Sequence, residues 1–174
     1  MLLENDILKL RPLEPEDLDV LYKWENDTRL WVHGHTLSPY SKMALRQYIT
    51  NAMSQDIYQN RQLRLMIDLK KEPKTIGTVD LYDLDIRNLR AGIGILIDEN
   101  CRNKDFARES LELVKEYAFS FLHLHQLYAY IMPDNLPSIQ LFEKAGFTKS
   151  SLLKDWVRHN AEYADVAVYQ NISE

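Results

Sequence analysis

The chain has 174 residues, 45% of them apolar, with a net charge of −5 and a pI near 5.6. That length supplies one domain with a sizeable core, and the acidic balance argues against sequence-independent nucleic-acid binding, which needs a basic surface. The single cysteine, Cys101, excludes an intramolecular disulfide and fits a reducing compartment. The start shows no basic leader with a long apolar stretch, and no run nears the roughly 20 apolar residues of a membrane span. A cytoplasmic protein without nucleic-acid or membrane partners is expected.

No repeat, low-complexity segment or Pro/Gly/Ser-rich linker interrupts residues 1–174, which read as a single domain. Ile7-Leu8-Lys9-Leu10-Arg11 alternates as a first strand, closed by Pro12. Glu14-Pro15-Glu16-Asp17 then opens a helix, its acidic residues placed at the positive end of the dipole, with Leu18, Leu21 and Tyr22 continuing it. Residues 26–41 have turn and aromatic character. Ser41 caps a second helix predicted to run to about Tyr58, with Leu45, Tyr48, Ile49 and Ala52 on one face. Leu63 to Asp68, Thr75 to Leu84 and Ala91 to Asp98 read as three strands of an antiparallel meander.

The apolar period then changes. Ala107, Leu111, Val114, Ala118 and Phe121 recur at three and four, which predicts a helix from Ala107 to Leu122 with a buried face. Gln126 to Met132 is a strand. Asn135-Leu136-Pro137-Ser138-Ile139-Gln140-Leu141-Phe142-Glu143-Lys144-Ala145-Gly146-Phe147 follows, a loop Asn, a short amphipathic helix and a glycine stop. Two last strands lie near 147–157 and 162–170. On pattern alone the chain is mixed α/β with a mostly antiparallel sheet.

Between the third meander strand and the long helix stands Arg102-Asn103-Lys104-Asp105-Phe106-Ala107. A helix start offers free N–H groups and a favourable dipole to a diphosphate, and Arg102, Lys104 and Arg108 add positive charge nearby. The alternative is a plain strand-to-helix turn with a solvated basic cluster. Together, in this order, this stretch and the Asn135–Phe147 stretch resemble the two acyl-CoA-binding motifs of the GNAT N-acyltransferase superfamily. The segments Leu10 to Leu18 and Trp24-Glu25-Asn26-Asp27 resemble its ribosomal-protein alanine and spermidine acetyltransferase subgroup.

The resemblance implies the GNAT fold, an α/β (α+β) architecture with a mixed, mostly antiparallel central sheet flanked by helices in the order β-α-α-β-β-β-α-β-α-β-β. It implies acetyl-CoA as co-substrate without a metal. The acceptor would be a primary amine, on a protein N-terminus or a small molecule, attacking the thioester directly. The implied cofactor-binding residues are Ile95, Leu96, Ile97, Arg102, Asn103, Lys104, Asp105, Phe106, Ala107, Arg108, Asn135 and Ser138. Strand 95–97 would pair with the pantetheine amides through its backbone, and a strand N–H at Leu96 would polarise the carbonyl.

Two positions depart from the family pattern. Asp105 replaces the central motif glycine, bringing a carboxylate to the diphosphate and a side chain able to cap the same N–H groups. Phe142 replaces a tyrosine that many members use as the thiolate's proton donor, which leaves Ser138 either as the thiolate's hydrogen-bond partner or as a helix-start hydroxyl that satisfies backbone N–H groups. For amine deprotonation Asp80, Asp83, Asp85 and Glu99 stand at strand ends. Any of the four fits the role, and Asp83 is carried forward; alternation puts Asp83 and Asp85 on one face and Asp80 on the other. Trp31, His33, His35 and Tyr82 are the candidate acceptor-binding residues, yet Trp31-Val32-His33-Gly34-His35 lacks the acidic pair of polyamine-binding loops. His33-x-His35 and His123-x-His125 have no supporting Cys cluster or helical His pair, so no metal site is assigned. A homodimer through the last strands follows from the resemblance alone. A second functional reading, motivated by Asp105 and Phe142, is an acyl-CoA sensor of the same fold.

Overall fold

The structure is a computed structural model and describes residues 2–31, 36–159 and 162–173. The expected order is found, with two one-turn helices added. Strand β1 (Leu8–Pro12) leads through a 3-10 turn to helix α1 (Leu18–Glu25) and the single turn α2 (Thr28–Trp31). Helix α3 (Lys42–Ser54), single turn α4 (Ile57–Asn60) and strands β2 (Leu63–Leu69), β3 (Lys74–Asp85) and β4 (Arg90–Ile97) follow. Helix α5 (Phe106–Glu116), β5 (Gln126–Ile131), α6 (Leu136–Lys144), β6 (Thr148–His159) and β7 (Glu162–Ile172) complete the chain.

The helix predicted to run from Ser41 to Tyr58 is two pieces. Ser41 Oγ does accept from the Ala44 N–H, but Asp56 then starts a new turn by accepting from the N–H groups of Tyr58 and Gln59. A capping Asp two residues beyond Ser54 competes with helix continuation. Helix α5 likewise gives way to a π turn over Tyr117–Phe121, with the Leu122 N–H reaching the Tyr117 carbonyl. Gly146, at φ 83°, ends α6 in the left-handed region, and the Phe147 N–H returns to the Phe142 carbonyl.

Seven strands form one sheet in the order β1-β2-β3-β4-β5-β7-β6. Every neighbouring pair is antiparallel except β4 with β5. Strand alternation divides the side chains between two cores. Leu65, Ile67, Val79, Leu81, Ala91, Ile93, Ile97, Leu127, Ala129 and Ile131 face α5 and α6, where Leu111, Val114, Phe142 and Phe147 meet them. Met66 and Leu96 face the other way, against Leu21 and Trp24 of α1 and Leu45 and Ile49 of α3. Among the described residues no helix is long and apolar enough to cross a membrane.

Asp98, just past β4, ties the second core to the sheet. Its carboxylate accepts from Lys23 Nζ at 2.9 Å, Trp24 Nε1 at 3.0 Å and the Asn100 backbone N–H at 3.1 Å. The Lys23 hydrogen bond, followed by those of Trp24 and Asn100, outweighs burial and holds this carboxyl well below the ordinary 3.8. A carboxyl depressed in the folded state contributes stability that is complete above its unfolded value and is lost as pH falls through the folded one. Acid titration of the folding equilibrium should therefore steepen below about pH 4, and Asp98→Asn should flatten that limb while lowering stability at neutral pH. An unchanged acid limb in the variant would show that Asp98 does not carry it.

Candidate active site

Strands β4 and β5 are paired over three rungs only, Arg90 with Gln126, Ala91 with Leu127 and Gly92 with Tyr128. Beyond Gly92, β4 runs on to Ile97 and β5 runs on beside β7, so the two strands part into a cleft. The edge of β4 that faces this cleft carries unpaired backbone groups, a ready partner for an extended ligand.

The register decides which groups those are. The Asp98 N–H bonds the Ile76 carbonyl at 2.8 Å on the β3 side, and no bulge interrupts β4 between Gly92 and Ile97. By alternation Leu96, paired with Thr78, also directs its N–H and C=O at β3. A Cβ built on Gly77 of β3 would stand 2.1 Å from the Leu96 carbonyl oxygen, which places that oxygen on the β3 side as well. Ile95 and Ile97 point theirs into the cleft. The expectation that Leu96 supplies the polarising N–H is thereby corrected: its amide is spent in the sheet, and its side chain packs among the α1–α3 residues. The Ile97 carbonyl accepts from Arg102 Nε at 3.1 Å, drawing that guanidinium to the cleft mouth.

The cleft opens onto the start of α5. Asn103 and Asp105 both adopt left-handed backbone, at φ 60° and 64°, a conformation Asn and Asp accept more readily than most residues. Asp105 occupies the N-cap position but makes no capping hydrogen bond. Its carboxylate turns to Arg108 instead, with Oδ2 accepting from Nε at 2.9 Å and Nη2 at 2.6 Å. That hydrogen bond, with the charge behind it, lowers the Asp105 pKa. So the Asp that replaces the motif glycine keeps the turn, leaves the first helical N–H groups uncapped and has its charge offset by a neighbour. Lys104 is exposed, while Phe106 and Ala107 pack against the core and anchor the turn.

On the opposite wall Asn135 caps α6 by accepting from the Ser138 N–H at 3.3 Å. The cap is thus the Asn135 oxygen, not the Ser138 hydroxyl, and Ser138 sits half-buried in the first turn. Phe142 is buried with its ring 5.0 Å from Phe147, edge to face, deep in the α5–α6 core.

The face of the sheet shared with α1 and α3 gives the cleft its other approach. Arg64, Asp80, Tyr82, Gly92, Gly94, Tyr128 and Tyr130 occupy the alternate positions there. Arg64 Nε bonds Asp80 Oδ1 at 2.6 Å and Nη1 bonds Glu25 Oε1 at the end of α1. The guanidinium also lies 5.4 Å from the centre of the Tyr48 ring. Burial alone would lower the Arg64 pKa; Asp80, then Tyr48 and Glu25, reverse that and raise it. Burial raises the Tyr82 pKa, with Tyr128, Tyr130 and Asp83 adding to it.

The strand alternation expected through Asp83 and Asp85 is broken. Asp83 has φ 49° at a register shift between Tyr82 and Asp85, and Leu81 and Leu84 both face the α5 core across it. Of the four carboxylates considered as the base, Asp80 is bound to Arg64, Asp85 to Asn88 and Arg90, and Glu99 to Arg29. Asp83 is exposed, and among the described residues it has no ion pair. Trp31 is half-buried and donates from Nε1 to the Glu25 carbonyl at 2.8 Å. His33 and His35 lie outside the described residues. Sequence reasoning missed Arg64, whose signal was an Arg inside an apolar strand, opposite an Asp in the next strand. It also missed Tyr128 and Tyr130, which alternate with buried apolar residues.

A separate groove lies on the outer side of α5, between Asn5, Glu109, Glu112, Lys115 and Glu116. Its carboxylates repel an anionic cofactor.

Residues 8–148 match the family model for an acetyltransferase (GNAT) domain. The chain is 28% identical over 167 residues to the uncharacterized N-acetyltransferase p20 of Bacillus licheniformis, covering 96% of this chain and 93% of that one. The crystal structure of spermidine N-acetyltransferase from Vibrio cholerae in complex with CoA and spermine superposes with a TM-score of 0.84, at 25% identity over 97% of this chain and 96% of that one. A dodecameric structure of that enzyme in an intermediate state gives a TM-score of 0.79 at 27% identity, covering 97% and 95% of the two chains.

Proposed function

Because the chain belongs to the GNAT acetyltransferase family, we propose that the β4–β5 cleft holds acetyl-CoA and that this N-acetyltransferase acetylates the primary amine of a small cationic molecule. The observation that carries this reading is the parting of β4 from β5 after Gly92, with the open edge leading straight to an uncapped helix start. Bound acetyl-CoA supplies an activated thioester carbonyl for attack by the amine nitrogen.

The residues divide the work as follows. The first N–H groups of α5, at Phe106, Ala107 and Arg108, hold the diphosphate with Arg102 and Lys104 beside them. Asn103 and Asp105 supply the left-handed turn that aims those groups. Ile97 pairs with the pantetheine arm, and Ile95, farther from the diphosphate turn, polarises the carbonyl. Asn135 keeps its side-chain NH2 for the arm, since its oxygen is the helix cap. Ser138 donates a hydrogen bond to the departing sulfur. Asp83 takes the proton from the amine. Trp31, His33, His35 and Tyr82 bind the acceptor. Glu25 and Asp80 together exceed the charge of Arg64 by one negative unit, which favours a cationic acceptor at that face.

A turnover assay with saturating acetyl-CoA, reading thiol release against spermidine, spermine, monoamines and an alanine-led peptide, tests this. Turnover with the cationic amines is expected. Turnover with the peptide alone would move the acceptor to protein N-termini, and CoA binding without any turnover would favour the sensor.

Removing the Asp105 carboxylate should tighten the cofactor. In Asp105→Gly the turn keeps its left-handed residue, Arg108 is released, and one negative charge leaves the diphosphate site. Calorimetric titration with acetyl-CoA should show binding about two- to fivefold tighter, as expected of one charge at a helix start, and the gain should shrink at high salt. Weaker binding would mean that the Asp105–Arg108 pair itself shapes the cradle.

We also propose that copies of the chain, working in the cytoplasm, associate as homodimers through the β6–β7 hairpin. Its exposed Leu152, Trp156 and Tyr163 support this; the dodecameric Vibrio cholerae enzyme supports association of copies in general and does not single out the dimer. Light scattering on the eluting protein, beside Trp156→Glu, reads the state directly.

A further inference from the structure

The apex of the cleft, where β4 and β5 separate, is covered on the α1–α3 face of the sheet by one aromatic ring. Tyr82 of β3 pairs with Gly92 of β4, and Gly92 is also in the last rung that joins β4 to β5. A Cβ on Gly92 would stand 2.2 Å from Tyr82 Cε2 and 2.4 Å from Cζ; one on Gly94 would stand 3.8 Å from Cε1. The ring therefore lies flat across both glycines, and no larger residue at Gly92 leaves it room. Its far end is closed in by β5. Tyr128 meets the ring edge-on at 6.1 Å, and Tyr130, the second residue past the last rung, stacks edge-on with Tyr128 at 5.4 Å.

This inference rests on the placement of acetyl-CoA along β4 made above. With the arm at Ile97 and the carbonyl at the Ile95 N–H, the carbons beyond the carbonyl continue toward Gly94 and Gly92. There they meet Tyr82. We propose that the Tyr82 ring is the wall that limits the donor's acyl group to acetyl. The ring is bedded on backbone below and braced by Tyr128 at its end, so a longer chain cannot displace it without lifting it off two glycines. The hydroxyl is not needed for this role; the ring is.

Binding of free CoA, acetyl-CoA and butyryl-CoA, measured by calorimetry without any acceptor, tests the wall. The wild type should bind butyryl-CoA about tenfold or more weakly than acetyl-CoA, the penalty of forcing two methylenes into a filled site. Tyr82→Ala and Tyr82→Leu should bring the two ligands within about threefold of each other, the scale of apolar burial that remains once a site is opened. Tyr82→Phe, which keeps the ring, should keep the wild-type ratio. Equal binding of both ligands by the wild type overturns the proposal. So does an unchanged ratio in either opened variant, once circular dichroism shows it folded. Free CoA separates the two levels of the argument: if CoA binds and the ratio fails, only the wall is lost. If the wild type binds no CoA, the cofactor placement is lost and the wall with it.

Discussion

Arg64→Ala should lower the folding stability by about 3 kcal/mol, because it strands two carboxylates that are largely removed from water. Arg64, Asp80 and Glu25 retain 17%, 16% and 23% of their side-chain exposure, enough to soften the loss but not to rehydrate either anion. For a chain of this length that loss corresponds to a fall of roughly 6–12 °C in Tm. The deficit should depend on pH in a defined direction. An unpaired buried carboxylate is pushed up in the folded variant, so the penalty is full above that raised value and is relieved as acid protonates the group. The gap between wild type and variant should therefore narrow below about pH 5. Arg64→Ala combined with Asp80→Asn should recover part of the stability at neutral pH, and strict additivity of the two changes would show that Arg64 and Asp80 do not stabilise the β2–β3 pairing as a coupled ion pair.

That cluster also marks where sequence reading stopped. Arg64 and Asp80 are opposite each other across β2 and β3, so their pairing follows once the register is known, but register is a long-range property. Glu25 reaches them from α1, which no local pattern foretells. By contrast the start of the helix predicted over 107–122 and the glycine stop at Gly146 were legible, because each rests on period or on one residue's backbone preference, whereas the succession of elements came through the family resemblance. The replacement of the family's glycine by Asp105 was also legible in the sequence. What was not readable was the direction of its carboxylate, since capping and pairing with Arg108 are both short-range options and only the assembled turn selects one. The broken alternation at Asp83 is the same kind of failure: a single left-handed residue inside a strand moves every later side chain to the other face.

The reassignment from Leu96 to Ile95 is the step on which the catalytic reading turns, and proline substitution separates the two. Ile95 directs its N–H into the cleft, so Ile95→Pro deletes no ladder hydrogen bond and leaves a strand edge that tolerates the ring. It does delete the proposed donor to the carbonyl oxygen. Loss of one such donor costs about 10²- to 10³-fold in kcat, and that fall is expected here with CoA binding retained to within a small factor. Ile95→Ala trims the side chain from the core but keeps the N–H, so it should lose some stability and little of kcat. Leu96→Pro should behave in the opposite sense. Its N–H faces Thr78 in β3, so proline there removes a rung in the middle of the sheet and the protein should fail to fold rather than fold without activity. A folded Ile95→Pro enzyme with undiminished kcat would mean that the carbonyl is polarised from elsewhere, and the alternation argument would then describe the sheet correctly but not the chemistry.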